Sequence, residues 1–186
     1  EVFSYPPDQW FEIQNIGKQD GGRFLAWQPS GELVAWGTRA GDVIVRRYDR
    51  LEEDVVRLKV GSKDSKSVTF SSDGRYLYVL NDPKLQRYDG QNGFAADREV
   101  ILPPGLHFKT SPRDGRLRVA GGAEYDMALQ LVEQREFPNG HINPVFSPDG
   151  LYLAATDGLR RVVMHGLNAT ETVRVLGEAA EVVNMD

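Results

Sequence analysis

Hydrophobic residues in this chain gather in short runs, and each run is closed by residues that turn a backbone. FLAW at 24–27 and LVAW at 33–36 flank QPSGE. VTF at 68–70 and YLYVL at 76–80 flank SSDGR. FKT at 108–110 and LRVA at 117–120 flank SPRDGR, and VF at 145–146 and YLAA at 152–155 flank SPDGL. Proline presets φ near −65°, Asp bonds its own backbone, and Gly accepts positive φ at little cost. Each flanking pair therefore reads as a β-hairpin. The run after each turn is nearly continuously apolar rather than alternating, which marks a strand covered on both faces.

The hairpin is one part of a longer repeat. Its turn glycines are Gly31, Gly74, Gly115 and Gly150, spaced by 43, 41 and 35 residues, and the third copy carries one extra turn residue, Arg113. A third strand follows, as in VIV at 43–45 and LQRY at 85–88. A more polar fourth comes next: VVRLKV at 55–60, REVIL at 98–102 and TVRVL at 172–176. In the third copy LQLVEQ at 129–134 fits either the third or the fourth strand. Four antiparallel strands recurring about every 40 residues describe the blades of a β-propeller, whereas a helical solenoid would need a 3.6-residue period. The sequence thus predicts an all-β chain of β-propeller repeats, with blades at 22–60, 66–102, 106–136 and 142–177. WFEI at 10–13 places residues 1–21 as the trailing strand of a preceding blade. EVVNMD at 181–186 places residues 178–186 as the start of a further one. The expectation is a segment of a larger, about seven-bladed ring; a fragment, a split chain and a half-ring that dimerises all fit it.

The repeat resembles the WD-repeat (WD40-like) β-propeller family. The matching features are the SPDG-type turn, the Leu-Ala run after it, Gly41-Asp-Val43 before a third strand, and an aromatic-Asp pair closing that strand. The pair is Tyr88-Asp89 in the second copy, and Tyr48-Asp49 lies two residues late in the first. The likeness covers about residues 22–176. No copy contains Trp-Asp, and the only Gly-His dipeptide, Gly140-His141, is out of register. The resemblance implies a rigid ring whose loops bind partners.

Composition narrows the chemistry. Net charge is −5, with 22 Lys+Arg against 27 Asp+Glu, which argues against nucleic acid as a partner. The absence of cysteine excludes disulfides, thiolate metal sites and cysteine nucleophiles. No apolar run approaches the ~20 residues of a membrane helix, so no membrane partner is expected. A reducing, cytoplasmic setting fits, and a periplasmic one stays open. Arginine exceeds lysine 16 to 6, a composition that suggests a bacterial source.

No catalytic motif stands out: there is no nucleophile elbow, no His-x-x-x-His pair and no phosphate-binding glycine loop. No cofactor and no metal are expected. The histidines His107 and His141 precede first strands and read as ordinary loop residues. The acids Asp82, Glu124, Asp126 and Asp157 are placed in turns between second and third strands, where Asp is favoured for turn-making alone. Arg46, Arg47, Arg50, Arg160 and Arg161 read as charges guarding strand edges. The function expected is a non-catalytic protein–protein interaction scaffold. Its candidate loops are 61–66, 103–107 and 137–142, with the turns 38–41, 81–83 and 122–126. Candidate partner contacts are Arg39, Lys63, Asp82, His107, Tyr125, Phe137, His141 and Asp157. The partner is a protein, with the remaining blades or another copy of the chain as further candidates. The alternatives are a lactonase-like enzyme or metal- or small-molecule-binding propeller, and a propeller that regulates an attached catalytic domain.

Overall fold

The structure, a computed structural model, describes residues 23–61, 67–103, 108–119, 122–134, 141–157, 161–167 and 173–178. The segments 10–13 and 181–186, read as strands of adjoining blades, lie outside the described residues. The described residues form four sheets of four antiparallel strands in chain order. The first blade holds β1 (Arg23–Trp27), β2 (Leu33–Gly37), β3 (Asp42–Arg47) and β4 (Arg50–Lys59). The second holds β5 (Ser67–Phe70), β6 (Tyr76–Asn81), β7 (Lys84–Asp89) and β8 (Ala95–Ile101). The third holds β9 (Phe108–Thr110), β10 (Leu117–Val119), β11 (Ala123–Tyr125) and β12 (Leu131–Gln134). The fourth holds β13 (His141–Phe146), β14 (Tyr152–Asp157), β15 (Arg161–Gly166) and β16 (Val173–Glu178).

First strands adjoin one another, β1 to β5, β5 to β9 and β9 to β13, so they are the inner strands of the arc. The blades stack through their apolar faces. Ala35, Val43, Val45 and Leu58 of the first pack on Val68, Phe70, Leu77 and Val79 of the second. Tyr78, Leu80 and Leu85 point the other way from the second blade, onto Phe108, Leu117 and Val119 of the third. Adjacent residues of β6 thus serve opposite interfaces, which is why its sequence is apolar without alternation.

The turns lock the blades together as well. Gly31, Gly74, Gly115 and Gly150 all have positive φ, from 66° to 78°. Gly74, Gly115 and Gly150 also lie under the preceding blade's turn. A Cβ on Gly74 would meet Gln28 Cγ at 3.0 Å, one on Gly115 would meet Ser72 Oγ at 2.8 Å, and one on Gly150 would meet Arg113 Cβ at 2.5 Å. Gln28 Nε2 also donates to the Gly74 carbonyl at 2.8 Å. The extra residue of the third turn, Arg113, is therefore the one that touches the fourth blade.

Within the second and fourth turns the side chains act as the sequence implies. Ser71 and Ser147 donate to Asp73 and Asp149 at 2.5 Å. The two carboxylates accept from the backbone N–H of Arg75 and Leu151, at 3.0 and 2.9 Å. The Ser147 hydroxyl and the Leu151 N–H hold the Asp149 carboxyl below its ordinary value.

Candidate functional site

Antiparallel order sends the link into each blade and the turn between its second and third strands to one end of the blade. The hairpin turn after each first strand lies at the other end. Backbone bonds fix the loop end in the first two blades. Val60, which begins the link out of β4, donates its N–H to the Gly41 carbonyl at 3.3 Å, and its carbonyl accepts from Asn81 Nδ2. One residue thus ties the turn at 38–41 to the end of β6. On the next link Leu102 N–H donates to the Pro83 carbonyl at 2.8 Å. The 38–41 turn is closed by reciprocal Thr38 and Asp42 backbone and hydroxyl bonds of 2.8 and 3.1 Å, which leave Arg39 exposed at its tip.

The candidate contacts sort as follows. Arg39 and Asp82 lie at this end, in the turns of the first and second blades, exposed and half-buried. His141, the first residue of β13, is the direct cross-strand partner of Asp157, the last of β14, so these two share one position at the loop end of the fourth blade. Lys63, His107 and Phe137 lie outside the described residues.

Tyr125 is corrected. It belongs to β11 rather than to a turn, and is 8% exposed in the core between the second and third blades. It pairs with Leu117 as Tyr88 pairs with Leu77, so Tyr125-Asp126 is the third copy's aromatic-Asp pair. Asp89 and Asp126 do the same work: each opens the turn between third and fourth strands by accepting backbone N–H bonds, from Gln91 at 3.0 Å and from Ala128 at 2.9 Å.

The placement of the acids is corrected too. Glu124 lies within β11 and is 2% exposed. Asp126 lies at the opposite end of the blade from Asp82. Glu124 faces Arg118 directly across the strand pair, with a bond of 2.8 Å, and Arg116 adds one of 3.3 Å. Arg118 also reaches Asp114 at 3.0 Å and lies 5.2 Å over the Phe146 ring of the fourth blade. A charged group thus reaches the third-to-fourth junction. Among the described residues no group of three or more His, Cys, Asp or Glu side chains converges as a metal site would require.

At the hairpin-turn end sequence reasoning missed a second arrangement. Arg75 binds Asp89 in bidentate fashion at 2.8 and 3.2 Å, and Arg87 binds Asp97 at 2.6 and 2.9 Å. Both guanidiniums lie over the Tyr76 ring, at 4.8 and 4.2 Å from its centre. Hydrogen bonds from Arg75 and Arg87 are the main reason that the Asp89 and Asp97 carboxyls sit below their ordinary value of 3.8. Tyr78 Oη and Arg87 both donate to the Met127 carbonyl of the third blade, so this network also joins two blades. The arginines read as edge guards are likewise paired: Arg46 with Asp54 at 2.6 Å, Arg47 with Asp49 at 3.0 Å.

Comparison with known protein families finds no matching family model, and no curated protein matches the sequence. Solved structures do match. Dihydro-heme d1 dehydrogenase NirN, in complex with DHE, superposes with a TM-score of 0.67 at 20% identity, over 84% of this chain and 36% of that one. The β-propeller domain of Cps50 (Swd1) from Myceliophteria thermophila superposes with a TM-score of 0.66 at 18% identity, over 78% of this chain and 52% of that one. The chain is a segment of a β-propeller. At these identities the likeness carries the fold and no activity. The propeller segment spans about a third of the first of these proteins and about half of the second.

Proposed function

We propose that this propeller segment is a non-catalytic interaction scaffold of the WD-repeat kind, and that it holds a protein partner against the loop end of its blades. The observation that carries the reading is the tie through Val60, which makes the 38–41 turn and the end of β6 one continuous surface. A rigid sheet with variable loops is the usual platform for recognition. The opposite end is given to stacking at three of its turns, because Gly74, Gly115, Gly150 and the Met127 carbonyl are taken by neighbouring blades. The loop end presents Arg39 at its rim, Asp82 beside the next link, and the His141–Asp157 pair on the fourth blade. An exposed arginine and a half-buried aspartate suit a polar, partly charged protein surface rather than an apolar ligand.

The test is quantitative affinity capture with three baits: the unaltered chain, an R39A/D82A/H141A variant, and an R98A variant on outer strand β8. A partner lost with the triple variant and kept with R98A supports the reading. A partner retained by the triple variant places recognition elsewhere.

A further inference from the structure

The turn after β11 carries a methionine where the second blade carries a glycine. Register aligns Tyr125 with Tyr88, so Met127 stands at the repeat position of Gly90. Met127 is 37% exposed, within reach of dissolved oxidants. Its thioether also lies where two blades meet. A Cβ on Gly115 would meet Met127 Sδ at 3.4 Å and Cγ at 3.6 Å, with Ser72 Oγ of the second blade at 2.8 Å. The thioether and Ser72 thus share the space that Gly115 leaves open. At Gly74 and Gly150 the nearest atoms all belong to the preceding blade, from Gln28 and Arg113.

The backbone of the same residue joins the same two blades. The Met127 carbonyl accepts from Tyr78 Oη at 3.1 Å and from Arg87 Nη1, both of the second blade. The turn is held from within. The Asp126 carboxylate accepts from the backbone N–H of Ala128 and of Gln130, each at 2.9 Å, and Leu129 N–H donates to the Asp126 carbonyl at 3.0 Å. Leu129, with φ 58°, is buried in the core between the two blades. Any shift of this turn therefore also moves the Met127 carbonyl from Tyr78 and Arg87.

We propose that Met127 is an oxidation site, and that its sulfoxide loosens the junction between the second and third blades. The oxidant is a peroxide, either hydrogen peroxide or an organic hydroperoxide. A sulfur lone pair attacks the outer oxygen, an S–O bond forms and the O–O bond breaks. Sulfur is oxidised by two electrons and the peroxide is reduced to water or an alcohol. The product is polar and chiral where the thioether was apolar. An oxygen that turns to water draws the side chain off Gly115 and uncovers the seam. An oxygen that turns inward presses on Gly115 and Ser72 and parts the two turns. Both movements open the same junction. A thiol-dependent sulfoxide reductase reverses the change, the oxygen leaving as water while two thiols become a disulfide. The proposal does not depend on the partner-binding reading.

The chain has three methionines, Met127, Met164 and Met185. Leucine conserves the volume of methionine, so M164L/M185L keeps Met127 alone and Met127→Leu removes it with little disturbance. The unaltered chain and both variants are treated with hydrogen peroxide. Peptide mass spectrometry, thermal melts and hydrogen–deuterium exchange follow, before and after treatment and again after reductase.

The proposal requires that Met127 gain one oxygen in the folded chain. The Tm of M164L/M185L should then fall by at least about 3 °C, the scale of one lost junction contact in a chain this long, while that of Met127→Leu holds. Amide exchange at 72–75 and 113–116 should quicken at least tenfold and that of the 38–41 turn should not change. Reductase should restore both readings. Three results would overturn it: full oxidation of Met127 with Tm and exchange unchanged, an equal fall in Met127→Leu, or a Met127 that resists peroxide until urea unfolds the chain. If either variant fails to fold by circular dichroism, the peptide-resolved exchange of the unaltered chain decides alone.

Discussion

Replacing Gly150 with alanine should unfold this chain far more readily than the same change at Gly93, although the two backbones are alike. Gly150 has φ 66° and Gly93 has φ 60°, so both variants place a Cβ in the left-handed region at roughly 1–2 kcal/mol. The entropy lost from the unfolded chain is common to both and cancels. They differ in what the new methyl meets. At Gly93 nothing lies within 4 Å. At Gly150 the methyl would sit 2.5 Å from Arg113 Cβ and 3.2 Å from Arg113 N. Carbon atoms prefer about 3.5–4.0 Å. Relief therefore needs a movement of about 1 Å by the third blade's turn backbone, since these atoms are no flexible tip. Overpacking of this kind costs about 1–3 kcal/mol. The difference between the variants should be about 2 kcal/mol, or roughly 4–8 °C in Tm for a chain of this length. Urea titration and thermal melts at one fixed protein concentration measure it. An equal or larger loss for Gly93→Ala would refute the claim that adjoining turns lock the blades.

Four further outcomes follow from the same geometry. Arg118→Met should cost about 3 kcal/mol in urea unfolding, because Glu124 then loses its cross-strand counter-charge at 2% exposure, whereas the R118M/E124L double variant should lie within ~1 kcal/mol of the unaltered chain. Tyr125→Ala should cost about 3–5 kcal/mol as a core truncation, while Arg39→Ala should change stability by less than ~0.5 kcal/mol. Asp89 and Asp97 have folded-state carboxyls below 3.8, so the stability they add is fully present above pH 3.8 and is lost as pH falls through their lowered values. Urea midpoints should drop across that acid window, and Arg87→Met should flatten the drop. Tyr78→Phe should cost about 1 kcal/mol through the lost bond to the Met127 carbonyl, measurable as a shift in urea midpoint at constant m-value.

The sequence made the blades legible because a propeller repeats one physical problem. Each hairpin needs a turn that tolerates positive φ, and each second strand needs two apolar faces, so the SPDG-type turns and the runs after them carry the plan openly. The structure shows four sheets of four antiparallel strands in chain order. It also resolves the third copy, where β11 is Ala123–Tyr125 and β12 is Leu131–Gln134. That copy misled because two glycines at 121–122 made GGAEYD look like one turn, whereas only its start turns and AEY is strand. The Arg118–Glu124 pair was hidden inside LRVA, which reads as apolar until register shows Arg118 facing away from Leu117 and Val119. The group of Arg75, Arg87 and Tyr76 depends on cross-strand neighbours, which no linear spacing reveals. Arg39 and Asp82 could be placed in turns at the loop end because turn tips follow from strand order alone.

We propose that recognition belongs to the loop end of the blades and stacking to the hairpin-turn end. Hydrogen–deuterium exchange, with and without a captured partner, compares the two directly. The claim predicts new protection at the 38–42 and 81–83 turns and at Val60 and Gly61, with none added at 71–75 and 111–115. Protection confined to the hairpin turns, with the loop end unchanged, would contradict it.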